Sequence, residues 1–171
     1  TVKNGENIVC SMVIRNFQFF PWGKELVQTV SDPNGAALTT TYSFYTNAAQ
    51  PGRYSQLQLS VQSDGSWASY DYTTQGLVSV EISGYKDVAA GSAASQAKAT
   101  YYDYSLRAGE PDILPQSPRA VIGTILGITN SLTFYSFTTN AQGDVIETVE
   151  RAASAAAAFG STNNLRTVTT R

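Results

Sequence analysis

One pattern constrains this chain more than any other. An aromatic, any residue, aromatic pair returns five times: Phe17-Gln18-Phe19, Tyr42-Ser43-Phe44, Tyr70-Asp71-Tyr72, Tyr102-Asp103-Tyr104 and Tyr135-Ser136-Phe137. The first members stand 25, 28, 32 and 33 residues apart. A large ring on either side of a small or polar residue is the two-residue period of a strand with one packed face, not the 3.6-residue period of a helix. Recurrence at nearly regular spacing means that one supersecondary unit is copied along the chain.

The text between the pairs defines that unit. Tyr72-Thr73-Thr74-Gln75-Gly76 runs into Leu77-Val78-Ser79-Val80-Glu81-Ile82, and Phe137-Thr138-Thr139-Asn140-Ala141-Gln142-Gly143 runs into Asp144-Val145-Ile146-Glu147-Thr148-Val149. Phe19-Phe20-Pro21-Trp22-Gly23 leads to Leu26-Val27-Gln28-Thr29-Val30 in the same way. A glycine turn after each pair followed by a β-prone run predicts a hairpin. Asp32-Pro33-Asn34-Gly35 and Asp64-Gly65-Ser66 supply tight turns between successive units. The expectation is an all-β chain, an antiparallel meander of repeated hairpins over residues 1–171, in which the ten aromatics are equivalent and stack as ladders across adjacent strands.

Two stretches interrupt the rhythm and read as loops: Gly84 to Ala99, rich in Gly, Ser and Ala, and Ala108 to Arg119, with Pro111, Pro115 and Pro118. Arg151 to Phe159 is Ala-rich, and both a short helical turn and a disordered Ala-Ser loop fit it. β-prone text at both ends, Thr1-Val2-Lys3 and Thr167-Val168-Thr169-Thr170-Arg171, leads us to expect a segment of a longer chain.

These residues resemble the Rhs and YD-repeat family. Asp64-Gly65-Ser66-Trp67, Tyr70-Asp71-Tyr72 and Gly76-Leu77-Val78 with Val80 form the clearest copy. Asp32-Pro33-Asn34-Gly35 with Thr41-Tyr42-Ser43-Phe44 matches one half of the family pattern, and Gly52-Arg53-Tyr54 with Leu57 and Leu59 the other. Tyr45, Thr73, Ser105 and Thr138 stand where the family carries aspartate after the second tyrosine, and the spacing is longer, as in a divergent, loop-expanded member. The resemblance implies about five copies within a β-spiral shell or curved sheet of a secreted or cell-surface protein. It implies a structural, non-enzymatic wall, with further repeats or other copies as edge-to-edge partners.

Composition narrows the chemistry. The chain has no His, which removes the commonest general base and neutral metal ligand, and one cysteine, Cys10, which excludes an internal disulfide. Charged residues make up only 14 %, with a net charge of -2 scattered along the chain, so no basic surface for nucleic acid is expected. Much of the polarity comes instead from 19 Thr and 18 Ser. No apolar run is long enough for a membrane-spanning helix.

No catalytic residue, cofactor or metal set is expected. Asp64 belongs to a turn, whereas Asp71 and Asp103 alternate with strand aromatics and should face away from them; Asp87 completes the carboxylates considered for glycoside hydrolysis. Cys10, within Ile8-Val9-Cys10-Ser11-Met12-Val13-Ile14, reads as a small strand hydrophobe. Trp22, Tyr54, Trp67 and Tyr85 lie at or beside turns, where rings either cap the sheet or stack on a glycan or protein ligand. The second use would make the chain a carbohydrate- or protein-binding β adhesion module.

Overall fold

The structure, a computed structural model, describes residues 2–3 and 9–170, with side chains from residue 12 onward. A small hairpin pairs β1 (Val2–Lys3) with β2 (Val9–Ser11). Then follow β3 (Val13–Phe20), β4 (Gly23–Ser31), β5 (Leu38–Phe44), β6 (Leu57–Val61), β7 (Trp67–Tyr72) and β8 (Val78–Ser83). After them come β9 (Lys98–Asp103), β10 (Ala120–Ile125), β11 (Ile128–Thr139), β12 (Val145–Arg151) and β13 (Leu165–Thr170). From β3 to β13 each strand pairs with the next in sequence, giving one 11-stranded antiparallel meander. The sheet is open: β3 and β13 are its edges and do not pair with each other. Residues 152–164 form neither a helix nor a disordered loop but a chain of hydrogen-bonded turns, such as Ala157 N–H to the Ser154 carbonyl at 3.1 Å.

The turn chemistry is where the sequence puts it. Gly65, Gly76 and Gly143 have φ of 82°, 82° and 90°, a region open to glycine and strained for other residues. The aromatic pairs lie on β3, β5, β7, β9 and β11, the first strand of each hairpin, with Tyr104 one residue past the end of β9. Register places them on one face. Arg15 pairs through Thr29 to Thr40, Tyr42 through Ser60 to Ala68, Tyr70 through Glu81 to Thr100, and Tyr102 through Val121 to Thr133.

The adjacent-strand ladders do not form. An even-numbered strand separates each aromatic pair from the next, so the rings stand about 9.5 Å apart across the sheet, twice the strand spacing. Along the strands there is also a shift: Tyr70 lies two residues beyond Ala68, Tyr102 two beyond Thr100, and Tyr135 two beyond Thr133. The sheet therefore shears by two residues per hairpin from β5 to β11.

The opposite face carries the compact part. Trp67, Ala99, Ala120, Thr124, Thr148 and Glu150, all buried, alternate with the aromatic-face positions and sit beneath loops. Loop 84–97 reaches Trp67, whose Nε1 donates to the Val88 carbonyl at 3.2 Å. Loop 152–164 brings Phe159 against Phe134, with ring centres 6.1 Å apart. With only one sheet layer the chain exposes 10475 Å², against about 8,100 Å² for a compact monomer of 18.3 kDa.

Candidate functional site

Of the four nominated aromatics, the fold brings two together. Trp22, in the β3–β4 turn, stacks on Phe20 with centroids 4.6 Å apart and planes 11° off parallel. Tyr54, from loop 45–56, meets the indole edge-on at 5.0 Å, and Phe44 meets Phe20 at 5.7 Å. The Trp22 Nε1 donates to Glu25 Oε1 at 3.2 Å. This cluster forms where the sheet splits: β4 pairs with β5 only from Gln28 to Ser31, so the tip of the β3–β4 hairpin diverges and aromatic rings fill the opening. Beside it lies an apolar cleft of about 250 Å³ lined by Glu25, Leu26, Tyr42, Phe44 and Leu57.

The other two aromatics stand at the opposite strand ends. Trp67 is only 5 % exposed, and a Cβ at Gly84 would lie 3.0 Å from its Nε1, so loop and sheet close over the ring. Tyr85 is more open, with the Lys86 and Lys98 ammonium groups 5.4 and 5.6 Å from its ring centre.

The carboxylates are each held locally. Asp64 accepts from the Ser66 backbone N–H at 2.9 Å and the Ser66 hydroxyl at 2.7 Å, and these bonds lower its pKa. Asp71, on the loop-covered face as its alternation predicts, pairs with Arg53 through Nη2 at 2.6 Å. Asp103 accepts from the Ser105 N–H at 2.9 Å. Asp87 borders a polar cleft of about 460 Å³ with Lys86 and Ser66. Among the described residues no group of three or more Cys, Asp or Glu is placed to hold a metal ion. The Cys10 side chain lies outside the described residues.

Sequence reasoning missed the most tightly built cluster. Loop 104–119 occupies the place beside β11 where β10 would run if it began earlier. There the Arg119 carbonyl extends the ladder by accepting from the Tyr135 N–H at 3.0 Å. Beyond it side chains replace a strand: Arg107 Nη1 donates to the Tyr135 carbonyl at 2.7 Å, and Glu110 Oε1 accepts from the Phe137 N–H at 3.4 Å. Arg119, 2 % exposed, donates to the Ser117 and Leu114 carbonyls at 2.6 and 3.1 Å and lies over the Phe137 ring at 4.9 Å. Its Nε is 2.8 Å from Glu110 Oε1, an ion pair by distance without hydrogen-bond alignment, and its Nη2 is 3.7 Å from Asp112. The only sequence signal was an arginine between a proline-rich loop and an apolar strand.

A second device repeats along the aromatic face. Tyr72 donates its hydroxyl to the Leu57 carbonyl at 2.8 Å, and Tyr104 to the Val78 carbonyl at 3.0 Å. Leu57 and Val78 are the first residues of β6 and β8, so each ring lies across the strand before its own. Burial pushes the Tyr72 phenol up to about 12, with Tyr70, Tyr45 and Asp71 adding to the shift. Burial likewise raises Tyr70, Tyr102 and Tyr104.

A trough of about 360 Å³ crosses the loop-covered face between these groups, with Leu59, Val80 and Ile82 on its floor and Ser43, Ser69 and Asp71 beside them. No family model matches the chain, and no curated protein matches it.

Proposed function

We propose that the chain is a non-enzymatic wall segment of a secreted or cell-surface β-shell or scaffold of the Rhs and YD-repeat kind, with roughly five copies of a hairpin unit. The observation that carries this reading is the single-layer sheet, whose hairpins shear by two residues each from β5 to β11 and whose two edge strands are unpaired among the described residues. A regular shear lets each hairpin add to the last at a constant offset, which tilts the strands relative to the direction of growth, as in a barrel or spiral wall. Open edges present rows of backbone donors and acceptors that a neighbouring strand can continue. Further repeats or other copies meeting edge to edge would supply those strands.

The second reading is a carbohydrate- or protein-binding adhesion module, favoured by the apolar cleft beside Trp22 and Tyr54. A glycan array, a hydrolase screen and small-angle scattering on the purified chain separate the outcomes. The wall reading expects a thin curved plate, no turnover and no glycan affinity. Micromolar glycan binding lost in Tyr54→Ala would favour the module, and turnover abolished by replacing one Asp would overturn both.

A further inference from the structure

We propose that β3 is a two-fold pairing edge whose partner is β3 of a second copy of this chain, joined antiparallel about an axis at Asn16. This rests on the wall reading, because it specifies how one open edge is continued.

Strand count sets the symmetry. The sheet has 11 strands, an odd number, so β3 and β13 run in the same direction. Copies added head to tail would meet as a parallel pair, and a copy closing on itself would do the same. Rotation by half a turn about an axis through the sheet gives an antiparallel seam and keeps the aromatic face continuous.

Backbone phase sets the register. Asp32 N–H donates to the Met12 carbonyl at 2.9 Å, and Phe20 pairs with Gly23 across a two-residue turn, so the even-numbered residues from 12 to 20 turn their backbone groups toward β4. Val13, Arg15, Phe17 and Phe19 therefore turn theirs outward. Centred on Asn16, the seam sets Val13 against Phe19 of the second copy and Arg15 against Phe17, so every outward donor and acceptor from 13 to 19 is matched. Centred one residue later, Val13 would face Pro21, which has no N–H to give.

Side chains agree with that register. Val13, Phe17 and Phe19 are 38, 48 and 79 % exposed, unusual for an edge strand without Lys or Pro to blunt it. The seam gives Val13 an apolar neighbour and lays the Arg15 guanidinium on a phenyl ring, with no like charges directly opposite. Lys24 already lies 4.5 Å from the Phe17 ring centre on the β4 side, leaving the outer side of that ring open. β13 offers a shorter edge, Leu165–Thr170, with Thr at half its positions.

The test uses the full chain with Cys10→Ser as background. Asn16→Cys places one thiol beside its own copy across the axis, in a non-hydrogen-bonded pair with Cα atoms about 4.5 Å apart, within disulfide reach. Under mild oxidant it should give a covalent dimer of twice the 18.3 kDa chain mass. Gln18→Cys, which faces Ile14, should give at least tenfold less. Arg15→Pro, added to Asn16→Cys, removes an outward N–H and spares the β4 ladder, so it should cut the dimer at least tenfold. Phe19→Lys serves the same purpose should the proline variant not fold. Folded Asn16→Cys that stays monomeric, or Gln18→Cys that cross-links equally well, overturns the proposal. Neither result overturns the wall reading, which falls on turnover, glycan binding or a scattering profile that is not a thin curved plate.

Discussion

The two faces of this sheet are stabilised in different ways. On the loop-covered face, 84–97 and 152–164 stand in for a second layer, and small strand residues such as Ala99 and Ala120 let them close over the sheet. Glu150 is buried there too, accepting from the Gly160 N–H at 2.7 Å. On the aromatic face the added cover is confined to loop 104–119, whose Arg119 lies over the Phe137 ring. Tyr72 and Tyr104 lie across neighbouring strands and cover the backbone with their own rings, keeping their hydroxyls bonded to carbonyls. A single-layer sheet can thus divide the work: loops make a core on one side, and large amphipathic rings shield the other.

This contrast ranks the expected effects of substitution. Removing Trp67 takes the largest buried ring from beneath loop 84–97, and Trp67→Ala should cost about 3–5 kcal/mol by urea denaturation. Glu110→Ala should cost a similar amount, about 3–5 kcal/mol, because two largely buried guanidiniums lose their shared carboxylate. Hydrogen exchange should then show faster opening at Phe137, whose N–H that carboxylate accepts. If Trp67→Ala is neutral, the loop-covered face is not the main source of stability.

The aromatic face should respond more weakly. Tyr72→Phe keeps the ring and loses one hydroxyl bond, for about 1 kcal/mol. Its pH behaviour is a sharper test. A phenol whose folded pKa is raised from 10.0 to about 12 favours the folded state fully below pH 10, and that contribution is lost as pH rises toward 12. Alkaline titration followed by circular dichroism should show stability falling across that window, less steeply in Tyr72→Phe. The smallest effect belongs to the exposed edge: Phe19→Ser should change monomer stability by less than about 0.5 kcal/mol. A larger loss would mean that the Phe19 ring packs within the monomer.

The chain's local chemistry was sufficient for its strand pattern. Alternating aromatics, Asp-Gly and Pro-Asn-Gly turns and β-prone runs all express short-range preferences, so the meander, the shared aromatic face and the opposite placement of Asp71 could be read from text. Three other features required the folded sheet. Stacked ladders were the natural reading of the repeat, but whether a ring meets the next depends on the strand between them. Trp67 and Trp22 look alike as turn aromatics, yet one lies beneath a loop and the other in a split between strands. The Arg107–Glu110–Arg119 cluster is invisible in sequence because its partners are the Tyr135 carbonyl and the Phe137 N–H, backbone groups that every residue carries. Which of them lacks a strand partner is decided only when β10 stops short beside β11, and long-range register of that kind is a property of the assembled sheet.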